Sequence, residues 1–144
     1  MVIKAYFPNK EKGMQATIRA VDRILKTNQS KRIILTGDFN STETLGNFNT
    51  ARDLPPGVHR DSRSAMVQEL LDKWHVKDLW KDSKNPARNQ EKESVKHMTH
   101  WNWKMTRGVR IDRVYVNFEI EGGHAMVTTE NHLGSDHKGI SWQL

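Results

Sequence analysis

Val2 to Phe7 alternates loosely between apolar and polar positions and is rich in β-formers, so it predicts a strand that Pro8-Asn9 stops. From about Lys12 to Thr27 the period changes. Met14, Ile18, Val21 and Leu25 recur at helical spacing, with Ile24 beside them and Lys, Arg and Asp opposite. That stripe predicts an amphipathic helix packed on a sheet. Ile33-Ile34-Leu35-Thr36 is then apolar on both faces, as a strand inside a sheet is, and it runs directly into Gly37-Asp38-Phe39-Asn40. Strand, helix and strand within about forty residues make a βαβ unit, with a right-handed crossover and parallel neighbours.

The middle of the chain is more polar. Ser41 to Arg63, with Pro55-Pro56-Gly57, reads as a long loop. Ser62 or Ser64 can cap a second helix whose apolar side is Met66, Val67, Leu70, Leu71 and Trp74. Val76, Leu79 and Trp80 follow as a hydrophobic anchor, and Lys81 to Lys96 is a charged surface segment. Met98 to Trp103 predicts a strand with Trp101 and Trp103 on one face. Thr106-Arg107-Gly108 is a turn, and Val109 to Ile120 a second strand, so the pair predicts a hairpin. After Gly122-Gly123 come a short strand at Ala125 to Thr129, a loop at Asn131 to Lys138 and a closing strand at Gly139 to Gln143.

Composition narrows the class. At 144 residues the length suits one domain or part of a larger one. There is no cysteine, which excludes disulfides and thiolate metal sites. No apolar run approaches the ~18 residues that cross a membrane, and the first residues lack a leader pattern. The expected location is therefore intracellular, nuclear or cytoplasmic, without membrane association. The net charge of +6 favours a polyanionic partner such as nucleic acid.

Three short motifs carry candidate chemistry. Asp38 and Asn40 stand at the carboxyl end of a buried strand, where open α/β sheets place ligand chemistry. Asp112 shares a strand face with Arg110, Val114 and Val116, so an inward carboxylate there needs a donor. His137 in Ser135-Asp136-His137 can be that donor; a carboxylate on one ring nitrogen fixes the tautomer and raises the basicity of the other. Read singly, Asp112 can equally pair with Arg110 or Arg113, and His137 can be an ordinary loop histidine. Together they form a set able to hold a divalent cation, orient a water and contact a phosphoryl oxygen. His97, His100, His124 and His132 make no zinc pattern by spacing.

Ala5-Tyr6-Phe7-Pro8-Asn9, Thr36-Gly37-Asp38-Phe39-Asn40, Arg110-Ile111-Asp112-Arg113 and Ser135-Asp136-His137, in that order, resemble the endonuclease/exonuclease/phosphatase (DNase I-like) superfamily. Asp78-Leu79-Trp80, Asn85-Pro86 and Thr99-His100-Trp101 resemble its abasic-site and retrotransposon endonuclease branch. The resemblance implies an α/β sandwich and roles by position. Tyr6 and Asn9 match residues beside the scissile phosphate. Asp38 matches the water-activating aspartate and a metal ligand, and Asn40 the amide that supports the phosphate. Asp112 matches the carboxylate that orients the catalytic histidine, His137. Asp136 matches the aspartate near the metal, and Trp101 a substrate pocket residue. Mg²⁺ or Mn²⁺ is the implied cofactor, and DNA the implied partner.

The family domain runs to about 250 residues, on the scale where single domains stop growing. Its first half supplies an asparagine and a principal metal-ligand glutamate, for which Glu43 and Glu69 do not stand in matching contexts. Residues 1–144 thus resemble the C-terminal half, one mixed sheet with helices on one face. The expected partner is the missing N-terminal half or the rest of a larger polyprotein. The expectation is a metal-dependent phosphodiesterase on DNA that is impaired in isolation, with exposed apolar surface where the second sheet belongs. The rivals are a phosphoinositide or lipid phosphatase of the same fold and a non-catalytic nucleic-acid-binding remnant.

Overall fold

A computed structural model describes residues 1–41, 62–80, 98–101, 108–120, 126–131 and 134–143. The elements run β1 (Val2–Tyr6), α1 (Glu11–Thr27), β2 (Ile34–Asp38), α2 (Ser62–Lys73), β3 (Lys77–Asp78), β4 (His100–Trp101), β5 (Gly108–Val109), β6 (Asp112–Val116), β7 (Met126–Asn131) and β8 (Lys138–Gln143). The expected loop at 41–63, the charged segment at 81–96, Trp103 and the glycine pair at 122–123 lie wholly or largely outside the described residues.

β1, β2, β6 and β3 form one sheet in that order. β1 and β2 are parallel, as the βαβ reading requires, while β6 is antiparallel to both β2 and β3, so the sheet is mixed. Alternation assigns the two faces. Ile3, Phe7, Leu35, Phe39 and Tyr115 join Met14, Val21 and Leu25 of α1 and Val67, Leu70 and Leu71 of α2 in one buried cluster. Both helices therefore cover one face, and the stripes read from the sequence are the buried ones. Ile24, beside the stripe, is partly exposed.

The opposite face carries Val114 and Val116, packed with Leu79, Trp80 and Ile120 and with Ile34, Phe118, Ile140 and Trp142. Ile140 and Trp142 belong to β8, which pairs with β7 along six residues as an antiparallel ribbon. The expectation of an uncovered inner face holds over only part of the sheet. The ribbon covers β6, whereas Val2 and Tyr6 on β1 stay 60% and 62% exposed.

One strand expectation is corrected. Val109 to Ile120 is not a single strand. The chain pairs with β4 through β5, leaves regular pairing at Arg110-Ile111, and enters the main sheet as β6. Arg110 and Arg113 explain the change of partner. Arg110 turns into a buried ion pair with Asp78 at 2.5 Å, its guanidinium 4.9 Å from the Trp80 ring centroid. Arg113 donates through Nε to the Arg110 carbonyl at 3.1 Å, and its guanidinium also bonds Tyr115 Oη and the Ser41 carbonyl. β3, which the pattern shows only as an anchor, exists because Leu79 donates its N–H to the Val114 carbonyl at 2.8 Å and Lys77 pairs with Val116.

Candidate active site

Tyr6, Asp38 and Asp112 are consecutive partners across β1, β2 and β6. In-register residues of neighbouring strands point the same way, so all three stand on the face opposite the helices, at one rim of the sheet. Gly37 makes the approach possible. Its φ is +139°, and a Cβ there would lie 1.9 Å from the Ala5 carbonyl oxygen. Only glycine lets β2 lie that close to β1 just before Asp38. Phe39 anchors the turn that follows. It stacks on Phe7 at 4.8 Å, meets Tyr115 edge-on at 5.0 Å, and donates its N–H to the Ile111 carbonyl.

Asn40 takes a left-handed backbone with φ 42°, a conformation asparagine tolerates better than most residues. That turn folds it back on Asp38. Its backbone N–H donates to Asp38 Oδ1 at 2.8 Å, and its Nδ2 donates to Asp38 Oδ2 at 3.0 Å and to the Phe7 carbonyl at 2.9 Å. Both amide hydrogens are thus committed to placing Asp38, which leaves Oδ1 as the group Asn40 can offer a ligand. Burial pushes the Asp38 carboxyl above its usual range and the charge of Asp112 adds to that, while the Asn40 N–H opposes.

His137 closes the set. Its Nδ1 lies 2.9 Å from Asp112 Oδ2. An ionised carboxylate only accepts, so Nδ1 carries the hydrogen and Nε2 holds the free lone pair of the neutral ring. Burial lowers the His137 pKa. The hydrogen bond and charge of Asp112, with Asp38 and Asp136, outweigh that, and the net direction is upward. The loop is held by the backbone: Ser135 Oγ accepts the His137 N–H at 3.1 Å, and His137 forms an antiparallel bridge with His100. Ligand atoms of Asp38, Asp112 and His137 all lie within 4.8 Å of one another.

Two residues outside the expected site set, both within the Thr99-His100-Trp101 motif, support this rim. Thr99 is buried, and its Oγ1 accepts the N–H groups of Ile111 at 3.1 Å and Asp112 at 2.9 Å, fixing the start of β6. His100 lies against His137, ring centroids 4.7 Å apart, and 3.3 Å from Asp136. Spacing along the chain cannot reveal His100, because its partner is reached by strand pairing over 37 positions.

The other expected site residues, Asp136, Asn9 and Trp101, are not hydrogen-bonded to Asp38, Asp112 or the His137 ring. Asp136 is exposed and groups with His100 and His137 rather than with Asp38. Asn9 is exposed just ahead of α1, and its carbonyl accepts from Arg63 at 2.7 Å. Trp101 follows His100 on β4 and so takes the reverse face of that ribbon, where Lys138 Nζ lies 5.5 Å from its ring. Carboxylate and amide oxygens on Asp38, Asp112 and Asn40 suit a hard dication such as Mg²⁺, which takes one or two carboxylates and keeps several waters. The donor set therefore fits the implied cofactor.

No protein family profile and no curated protein matches this sequence. Solved structures do. The 3′ phosphatase NExo from Neisseria, bound to product DNA hairpin, superposes with a TM-score of 0.65 at 16% identity, over 99% of this chain and 60% of that protein. The chain has the DNase I-like fold. It spans 60% of the length of that neighbour.

Proposed function

We propose that this chain carries the rim of a metal-dependent phosphodiester hydrolase acting on DNA. The observation behind it is the Tyr6–Asp38–Asp112 row with His137 fastened to its end. In this reading Asp38, its pKa raised by burial, takes a proton from the attacking water. Asp112 holds His137 Nδ1–H, and Nε2 meets a phosphoryl oxygen, donating to it when the ring is protonated. Tyr6 and Asn9 flank the phosphate, Asn40 keeps Asp38 aimed, and Trp101 offers a stacking surface. Asp38, with Asp112 and Asn40 Oδ1 beside it, would hold Mg²⁺ or Mn²⁺, which when bound neutralises developing charge on the phosphoryl group.

The net charge of +6 supports a nucleic-acid substrate, and the structural neighbour NExo holds DNA. We assign the chain impaired turnover in isolation, because the asparagine and glutamate that the resemblance places in the other half of the domain are not matched in these residues. The test is nicking of supercoiled plasmid, and phosphate release from a 3′-phosphorylated hairpin, with and without Mg²⁺. Slow Mg²⁺-dependent turnover that vanishes in Asp38→Ala and in His137→Ala is expected. Turnover unaffected by both variants, or phosphate release from phosphoinositides and not from DNA, would overturn the assignment. Fast turnover by the isolated chain would overturn the impairment.

A further inference from the structure

We propose that His100, Asp136 and His137 form a binding site for a transition-metal dication such as Zn²⁺, with a donor set different from that of the hard-cation rim. Two imidazoles and one carboxylate suit zinc and its neighbours, whereas Mg²⁺ prefers oxygen alone. The placement of the three donors comes from the backbone. Trp101 donates its N–H to the Asp136 carbonyl at 3.0 Å, and Lys138 donates to the Thr99 carbonyl at 2.6 Å. These bonds flank the His100–His137 bridge, so the two histidines form a non-hydrogen-bonded pair, the kind whose side chains stand closest on one face.

The remaining geometry agrees. The rings are 4.7 Å apart and inclined at 59°. His100 Nε2 is 3.3 Å from Asp136 Oδ2. Asp112 occupies His137 Nδ1 at 2.9 Å, which leaves Nε2 as the ligand atom and supplies the carboxylate that commonly backs a metal-bound histidine. One ligand atom from each residue lies within 4.8 Å of the others. Ligands about 2.1 Å from one ion stand at most about 4.2 Å apart, so only a small side-chain rotation separates this arrangement from coordination. Asp136 has the freedom for it, with its side chain 66% exposed. Asp38 and Asp112 add negative charge close by. Three protein ligands leave a coordination position open.

An ion here would occupy His137 Nε2 and Asp136 together. On the hydrolase reading His137 Nε2 is the phosphate-facing nitrogen, so Zn²⁺ would oppose Mg²⁺-dependent turnover. The site itself does not rest on that reading, and binding is measured without DNA. The purified chain is titrated with ZnCl₂ by calorimetry and with CoCl₂ by visible absorption, while histidine ring signals are followed by NMR. One ion per chain is expected, with the His100 and His137 rings responding together. His100→Phe and Asp136→Asn should each weaken Zn²⁺ at least about tenfold, the loss that even outer contacts of a metal site cause. Asp38→Asn should weaken it less than either. Thermal melts confirm that the variants fold, and His100→Gln replaces His100→Phe if that one does not. Unchanged affinity in the His100 variant, or a response confined to other histidines such as His75, would overturn the site.

Discussion

Asp112 and His137 are joined by a 2.9 Å hydrogen bond between Oδ2 and Nδ1, across 25 positions of sequence. That bond decides the state of the histidine. Burial works against the imidazolium, and Asp112 more than offsets it. Asp112→Asn removes the charge but keeps the size, so burial is left to act. The His137 pKa should then fall toward or below the ordinary histidine value, read by NMR titration of the ring. An unchanged midpoint would mean that the pair does not set the protonation of His137.

The same bond links stability to pH. The folded-state pKa of His137 is raised above its unfolded value, so the folded state binds the proton more tightly. Its contribution is fully present below the unfolded pKa and is lost as pH rises through the folded one. Denaturation of the parent and of Asp112→Asn should therefore differ most in mild acid, and the gap should narrow above neutrality. A constant gap across that range would place the effect of Asp112 elsewhere, in packing or in the Thr99 contact.

The Arg110–Asp78 pair is buried on both sides, with side chains 5% and 4% exposed. Asp78 Oδ1 also accepts the Trp80 N–H at 3.0 Å. Removing one partner of such a pair strands a charge in low dielectric. Asp78→Ala should cost about 3–5 kcal/mol by urea denaturation. The double variant Asp78→Leu with Arg110→Met should cost markedly less, because no uncompensated charge remains. Equal losses would show that packing, not charge, governs this position.

Gly37→Ala tests the close approach of β2 to β1. A methyl group would meet the Ala5 carbonyl oxygen at 1.9 Å, a backbone atom that cannot swing aside. The strained φ adds its own cost. A loss of about 3 kcal/mol or more is expected, with displacement of Asp38 visible as altered amide shifts at Asp38 and Asn40. A near-neutral melting temperature would contradict the described strand spacing.

The periodic parts of the fold were legible in the sequence, and the paired parts were not. Met14, Val21 and Leu25 mark α1 because a helix writes its buried face at a fixed local interval. Ile33 to Asp38 reads as an interior strand because apolar side chains fill both faces. The division of β5 from β6 left no such trace. Val109, Val114 and Val116 look like one strand, and the break between them comes from Arg110 reaching Asp78, 32 positions away. At the site, the motifs name Asp38, Asn40, Asp112 and His137, which the structure brings together, but the commitment of both Asn40 amide hydrogens leaves no trace in them, since it depends on a left-handed turn. Spacing gives His100 no metal pattern, because a cross-strand pair has no fixed separation along the chain.

Thr99 gives the last test of how the rim is held. Its hydroxyl oxygen accepts two backbone N–H groups, those of Ile111 and Asp112, where the chain passes from one small sheet into the main one. Thr99→Val keeps the shape and removes the acceptor. Two N–H groups then lose their partner at a buried position, and each such loss costs about 1–3 kcal/mol. A destabilisation of about 2 kcal/mol or more is expected by denaturation. Asp112 should also move, because one of its anchors is gone, so the His137 pKa should shift downward in the same variant. Thr99→Ser keeps the acceptor and should restore both readouts. If Thr99→Val lowers stability while leaving the His137 titration intact, Thr99 serves the fold alone and Asp112 is placed by β2 and β6 without it.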